Sequence, residues 1–543
     1  MSALTVDYAS PSAFDADLSR ATLGLTANAR RPVRFRGRVR QHVALLRFAL
    51  RALGEAIWSR EGWLADEEAS FLLDPIITVH SDRLIFEAFS QDESSFARLD
   101  IDPALFEIDG PVEYGTTNVD FTAWLWGALG ELRSSRETEL RIDPAGFQVA
   151  TSGAGGRFEA EIDLPDAWLR GLLQVQAAMT FPGTRLELRP VDLLAAVRFL
   201  RYANAKVAPR ALRYELQPDQ DARIVLEPWE EIIPLRGAQH GYTEPRTIRT
   251  WGRQRLKLLE PLLPFADRVR VYLKGRSLPS FYAVELPGMT FLLGLSGFAG
   301  SRWTSSIGLD LMSAAHALPA DDLARCLHLL ASRVKLSADE LAAELGMERR
   351  HAALLLDRLT RQGRVMFDLE TRQYRHRELL EAPGDDAVLY PHDARLEQAA
   401  AYVEGGQVRV TQCEPEEMRR TRRFRTEHGR LEREVIYRDW RASAAVAEQT
   451  AVTIAMNDSG QLIFGACGCA FFRDNLLNRG PCAHMLALYQ TVSRSLMDLP
   501  SSQAAEHPPE RPFRDPRTGE ETYGTRWSGA DVDKDDDDGD KAL

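Results

Sequence analysis

Three cysteines and a histidine fall within eighteen residues of this chain, as Cys467-Gly468-Cys469 and Cys482-Ala483-His484. Thiolate and imidazole donors at this spacing constrain the fold strongly, because one divalent ion can gather all four only if the backbone brings both pairs together. A structural zinc takes four such ligands in a tetrahedron, with Zn–S near about 2.3 Å and Zn–N near about 2.0 Å. Four donors complete that shell and leave no position for an activated water. The flanking residues read as a scaffold for them. Ala451–Met456 and Gln461–Phe464 are β-prone runs joined by Asn457-Asp458-Ser459-Gly460, a hairpin ending at the first pair. Pro481 suits the start of a helix from Cys482 to about Ser495, whose positive end favours a thiolate.

Buried free thiols, a disulfide and a redox pair are the competing readings. With only 5 Cys in 543 residues, no signal-peptide pattern and no apolar run of membrane-spanning length, a reduced cytoplasmic protein is expected, which disfavours a disulfide. CxC is not the CxxC of thioredoxin-like sites, and buried free thiols do not explain the clustering with a histidine. The expectation is Zn²⁺ held by Cys467, Cys469, Cys482 and His484. Cys326 reads as core in an apolar helical run, and Cys413 as an ordinary loop or strand residue.

The order of hairpin, CxC, spacer, CxH and helix resembles the SWIM zinc finger, whose pattern is CxCx(n)CxH, with Ala470–Pro481 here as the spacer. All four ligand positions match, over about a tenth of the chain. The resemblance implies a small ββα finger across 448–497 that binds DNA or protein. Bacterial proteins of this look are credited with adaptor roles, some alongside AAA+ ATPases and their von Willebrand-type partners, so a protein partner of that kind is what the resemblance implies.

The length allows three or four domains, and an α+β multidomain fold class is expected. A net charge of −12 argues against a nucleic-acid binder that uses its whole surface, although Asp531–Asp540 alone carries seven Asp against one Lys. The divisions expected are an N-terminal α+β region (1–110), a central α+β domain (111–317), a winged-helix-like domain (318–382), an Arg-rich connection (383–447), the finger (448–497) and a disordered acidic tail (498–543). Arg30–Arg40 reads as a basic approach to an amphipathic helix over 41–59. Within 118–263 two helix-strand-strand-helix units are discernible, the second closing on a helix over 246–263; an ordinary α+β domain is the alternative. Gly153–Gly156 reads as a hairpin loop, since it lacks the Lys-Ser/Thr of a phosphate loop.

From Pro319 the grammar turns helical. Ser337 with Glu340 forms a capping box, and Leu336 with Leu341 a hydrophobic staple. A second helix runs from about Glu348 to Arg361, followed by β-prone Arg364–Asp368 and Arg372–His376. This order resembles a winged helix, whose second helix would carry Arg349 and Arg350 toward DNA. Residues 331–380 nevertheless balance ten Lys/Arg against eight Asp/Glu, so protein docking competes with DNA contact. A stronger basic run, Arg419–Arg441, holds nine Arg and four Asp/Glu with Phe424, Tyr437 and Trp440 interleaved. Arg419, Arg420, Arg422 and Arg423 are its candidate nucleic-acid contacts, and a solvated, internally paired segment is the alternative.

No phosphate loop, GxSxG elbow or HExxH is found. The function expected is a non-enzymatic adaptor or scaffold that docks protein through the finger and the winged helix. A DNA- or RNA-binding protein using the Arg-rich segment and the finger is the alternative.

Overall fold

The computed structural model describes residues 4–7, 9, 11–28, 31–58, 75–119, 123–145, 161–164, 166–238, 240, 242, 245–275, 278–297, 301–304, 308–312, 318–379, 392–426, 429–457, 460–497, 513–514 and 521–522. The loop expected at Gly153–Gly156 and nearly all of the acidic tail lie outside them.

The chain opens with β1 (Leu4–Asp7), β2 (Ala13–Ala16), β3 (Arg20–Thr26), β4 (Phe35–Val39) and α1 (Val43–Trp58). In α1, Leu46, Ala49, Leu50, Leu53 and Ile57 recur at helical spacing and are all buried. Next come β5 (Ile76–Val79), β6 (Leu84–Phe89), β7 (Ser95–Ile101), β8 (Phe106–Ile108), β9 (Gly115–Asn118), α2 (Ala123–Ala128), β10 (Glu137–Asp143), β11 (Glu161–Leu164) and α3 (Asp166–Thr180). After β12 (Thr184–Leu188) and α4 (Pro190–Tyr202) follow β13 (Leu212–Leu216), β14 (Arg223–Leu226), β15 (Glu231–Pro234), β16 (Arg246–Thr250), β17 (Arg268–Leu273), β18 (Ser280–Leu286) and β19 (Met289–Leu295).

An eight-stranded antiparallel sheet, in the order β12-β17-β18-β19-β7-β6-β5-β9, is the spine of the molecule. The pairing of β7 with β19, from Ile101↔Met289 to Ser95↔Leu295, joins strands from either side of residue 110. That expected division therefore falls inside one hydrogen-bonded sheet. Both faces are buried. Ala97, Leu99 and Ile101 of β7 belong to the core shared with α1 and α4, whereas Phe96, with Phe89 and Phe281, packs with α3 in a second core. Burial on both faces explains why β18 and β19 read as almost unbroken apolar runs.

A five-stranded sheet, β2-β3-β10-β4-β8, sets β10 parallel to β3 and antiparallel to β4. Residues 35–39 of the basic Arg30–Arg40 run are thus a strand. Arg34 pairs with Glu113 and Asp143, Arg36 with Glu139 and Asp109, and Arg38 with Glu107 and Glu137. The helix expected over 246–263 resolves into β16, hydrogen-bonded to β13, and a 3-10 turn over Arg253–Leu259 that starts after Gly252 at φ 78°. Strand pairing outweighs the local helical pattern there. The two units discerned in the sequence contribute to different sheets: β10 to the five-stranded one, β11 to a pair with β1, and β13 and β14 to a meander ordered β15-β14-β13-β16.

Beyond residue 318 the chain forms α5 (Ala320–Arg333), β20 (Lys335–Leu336), α6 (Ala338–Leu345), α7 (Arg349–Arg361), β21 (Val365–Asp368) and β22 (Gln373–His376), with the strands ordered β20-β22-β21. The capping box is present: Glu340 N donates to Ser337 Oγ at 3.2 Å, and Ser337 N to Glu340 Oε2 at 2.6 Å. This unit is tied to the spine by charge. Arg377, 1 % exposed at its side chain, pairs with Glu87 of β6, which is fully buried. Arg375 Nη1 lies 2.6 Å from Asp82 Oδ1, and Arg270 Nη1 lies 2.7 Å from Glu370 Oε2.

The remaining elements are α8 (Ala394–Glu404), β23 (Val408–Thr426), β24 (Gly429–Val446), β25 (Gln449–Met456), β26 (Leu462–Ala466), α9 (Ala470–Asn475), α10 (Ala483–Met497), β27 (Phe513–Arg514) and β28 (Glu521–Thr522). Strands β23-β24-β25-β26 form one antiparallel sheet. Trp440, Ala442, Ile454, Met485, Leu486 and Tyr489 of this region enter the same core as α3 and Phe281. Among the described residues no helix is long and apolar enough to cross a membrane.

Candidate metal centre

The β25–β26 hairpin delivers Cys467 and Cys469 at its end, as the alternation of β-prone runs implies. Cys469 then caps α9, where Phe472 N–H donates to its Sγ at 3.5 Å. Cys482 and His484 stand at the start of α10, with Leu486 N bonded to Cys482 O at 3.0 Å. The four ligand atoms all lie within 4.8 Å of one another, and Cys467, Cys482 and His484 are buried. Donors on a tetrahedral metal at these bond lengths sit about 3.5–3.8 Å apart, and Cys467 Sγ is 3.8 Å from His484 Nδ1. The set therefore fits one tetrahedral ion closed by protein ligands.

Electrostatics within the cluster fit the same role. Hydrogen bonds from Cys467 and Cys482 hold the Cys469 thiol far below its ordinary range, whereas Cys482 is pushed far up by its bonds to Cys467 and Cys469 and by burial. Bonds to Cys467 and Cys469 raise His484 to about 10. A bound cation would hold all three sulfurs as thiolates and take the neutral imidazole, releasing protons as it binds.

Two supporting residues carry no signal in the sequence. Glu448, in the turn between β24 and β25, places Oε1 3.1 Å from His484 Nε2. Tyr402 of α8 stacks on the His484 ring, with centroids 5.3 Å apart and an interplanar angle of 14°. Nothing in their spacing from the cysteines marks either one, because only the packing of α8 and the register of β24 with β25 bring them in.

The spacer between the donor pairs is docked onto the spine sheet's loops. Ser301 Oγ donates to Asn478 Oδ1 at 3.2 Å, and Asn478 Nδ2 donates to Ser296 O at 3.2 Å. Gly480, at φ 79°, has an ideal Cβ position 2.3 Å from Gly308 O; the corresponding position on Gly308 lies 2.5 Å from Arg479 O. A side chain on either glycine would collide with main chain. Arg395 Nη1 clamps the same turn, bonding Arg479 O at 2.7 Å and Pro481 O at 3.0 Å.

The six candidate nucleic-acid residues fall in two places. Arg349 Nε is 2.7 Å from Asp339 Oδ1, and Arg350 is 2 % exposed. Arg350 is thus buried and Arg349 is half-buried in an ion pair, so the basic look of α7 overstates the charge it offers to solvent. Arg419, Arg420, Arg422 and Arg423 lie on β23, paired across to Ile436, Val435, Arg433 and Glu432 of β24.

No family model matches the chain, and no curated protein matches it. Three solved structures with partial likeness are of Proliferating Cellular Nuclear Antigen. Proliferating Cellular Nuclear Antigen from Entamoeba histolytica gives a TM-score of 0.33 at 11% identity, over 48% of this chain and 97% of that one. A. fulgidus PCNA bound to the C-terminal region of FEN-1 gives 0.31 at 13%, over 48% and 97%. PCNA from Thermococcus kodakaraensis gives 0.31 at 11%, over 48% and 98%. Likeness of this order assigns neither a family nor a function.

Proposed function

We propose that this chain is a non-enzymatic, zinc-binding adaptor in which a SWIM-type finger on Cys467, Cys469, Cys482 and His484 fixes the shape of a protein-docking region. The observation that carries the reading is the convergence of three thiols and an imidazole within 4.8 Å in a largely buried site. Such a set favours zinc among the common divalent ions and leaves it no open position for catalysis. Structural zinc contributes on the order of 10–16 kcal/mol in small finger peptides, more than a short hairpin and two helices supply alone.

The helix-strand-helix-helix-strand-strand order of residues 320–376, with its strands ordered β20-β22-β21, supports a winged-helix-like second module. Because Arg349 and Arg350 are engaged within it, its favoured role is to dock protein, and an AAA+ ATPase system is the partner class suggested by resemblance. Native mass spectrometry of the purified chain should find one zinc per chain, and none in Cys482→Ser. A wild-type chain purified with zinc available but carrying none would sink the zinc reading. Retention of the same cellular partner by the wild type and by the zinc-free variant would sink the docking role of the finger.

A further inference from the structure

Strands β23 and β24 outrun the rest of their sheet. Strand β25 pairs with β24 only from Trp440↔Met456 to Val446↔Gln449. Beyond Trp440, among the described residues, the two strands continue as a pair alone, through eleven rungs from Glu416↔Asp439 to Thr426↔Gly429. At about 3.4 Å per residue this arm is roughly 35 Å long, and its two strands lie about 4.8 Å apart.

The arm's own charges oppose its formation. From Met418 to Tyr437 the sequence holds seven Arg against three Glu. The register sets Arg422 directly opposite Arg433, Arg425 opposite Arg430 and Glu416 opposite Asp439, against two opposite-charge rungs, Glu417↔Arg438 and Arg423↔Glu432. Like charges opposite one another destabilise a strand pair, and a two-stranded ribbon is marginal in water even without them. A polyanion would turn that repulsion into attraction.

We propose that this arm is a DNA-binding ribbon that lies in the major groove of a duplex. A B-form major groove, about 12 Å wide, admits a two-stranded β-ribbon, whereas the A-form groove of duplex RNA is too narrow. Single-strand binders use a groove that tracks the backbone and stacks the bases, and the two-stranded ribbon that the described residues form beyond Trp440 offers no such trough. Arg422↔Arg433 stands two rungs, about 6.8 Å, beyond Arg420↔Val435 along the arm. That alignment suits successive phosphates along one groove wall. The anionic chemistry is also present in this chain's own tail, where Asp531–Asp540 holds seven Asp, so the tail is a competitor for the arm.

The inference goes beyond the zinc-adaptor reading, and its test leaves the metal donors untouched. Binding of a mixed-sequence 20-base-pair DNA duplex is measured against salt for the full chain and for a chain ending at Gly529, beside the matching single strand and RNA duplex. Both proteins should bind the DNA duplex at low salt, the shortened one more tightly. R422A/R433A should weaken binding and flatten the logarithmic salt slope by about 1.8 units, at about 0.9 per lost phosphate contact. Its thermal midpoint should hold or rise, because a repulsive rung has been removed, and R422K/R433K should keep the wild-type slope. The proposal is overturned if neither protein binds the duplex, if R422A/R433A keeps the wild-type slope, if the lysine variant loses it, or if single strand or RNA duplex binds as tightly as DNA.

Discussion

His484 and Glu448 form a relay at the edge of the donor cluster: the imidazole keeps Nδ1 toward Cys467 while its Nε2, 3.1 Å from Glu448 Oε1, donates to the carboxylate. A histidine held this way presents a fixed lone pair to a metal, and the carboxylate makes it a better donor. Removing the carboxylate should therefore cost affinity without removing a ligand. Glu448→Gln is expected to weaken metal binding about 10–100-fold with the stoichiometry unchanged. Competition against a chromophoric chelator measures it; equal affinities would show that the contact does not tune the site.

Metal removal should reach past the donors. Tyr402 lies on the His484 ring, and α10 shares its core with α3. Chelation should open amides of α8 as well as those of 449–457 and 460–497, lowering the thermal midpoint of the whole chain. Hydrogen exchange with and without chelator reads this out. Loss confined to the hairpin and α10 would mean that α8 is held by other contacts.

The Glu87–Arg377 pair has almost no access to water. Breaking one side leaves a buried charge uncompensated, so Arg377→Met should destabilise by about 3–5 kcal/mol, whereas E87L/R377M should recover most of the loss. Urea unfolding of the three proteins decides it. A double variant no better than the single one would mean that the pair contributes more than mutual neutralisation.

Stability should also fall in acid. Burial of Asp82 opposes its charge, yet hydrogen bonds from His80 and Arg375 hold its carboxyl well below the ordinary 3.8. The folded protein then binds fewer protons there than the unfolded chain. The contribution is present above the ordinary value and is lost as pH falls toward the lower folded one. Asp82→Asn should cost on the order of 1 kcal/mol at pH 7, discounted for partial exposure, and should shrink the difference between pH 5 and pH 3. An unchanged acid limb would exclude Asp82 as a source of it.

The donor set was legible because its four members lie close in sequence and their chemistry is scarce: Cys and His at such spacing have few other uses. The capping box at Ser337 was legible for a related reason, since residue 340 follows within one turn. Long-range pairing left no comparable trace. Nothing in Ser95–Ile101 announces Met289–Leu295 as its neighbour, and so a boundary drawn at residue 110 cut through a sheet. For Arg349 and Arg350 the sequence shows a basic helix but not the ion pair to Asp339 or the burial of Arg350, which only the packing brings into view. Residues 246–263 carried a helical rhythm that β13 overrode by offering a complete set of backbone partners.

The close approach of Gly308 to Gly480 has a consequence for how this protein can be taken apart. Where two surfaces touch through side chains, substitutions on one can be answered by substitutions on the other, and a module can be refitted to a new host. At Gly308 and Gly480 main chain meets main chain, and neither glycine has a side chain to exchange. A segment such as 448–497 is therefore not portable as it stands. Moved into another protein, it would need Ser296, Ser301 and Gly308 to travel with it, or it would arrive with Asn478 and the turn before Cys482 missing their mould.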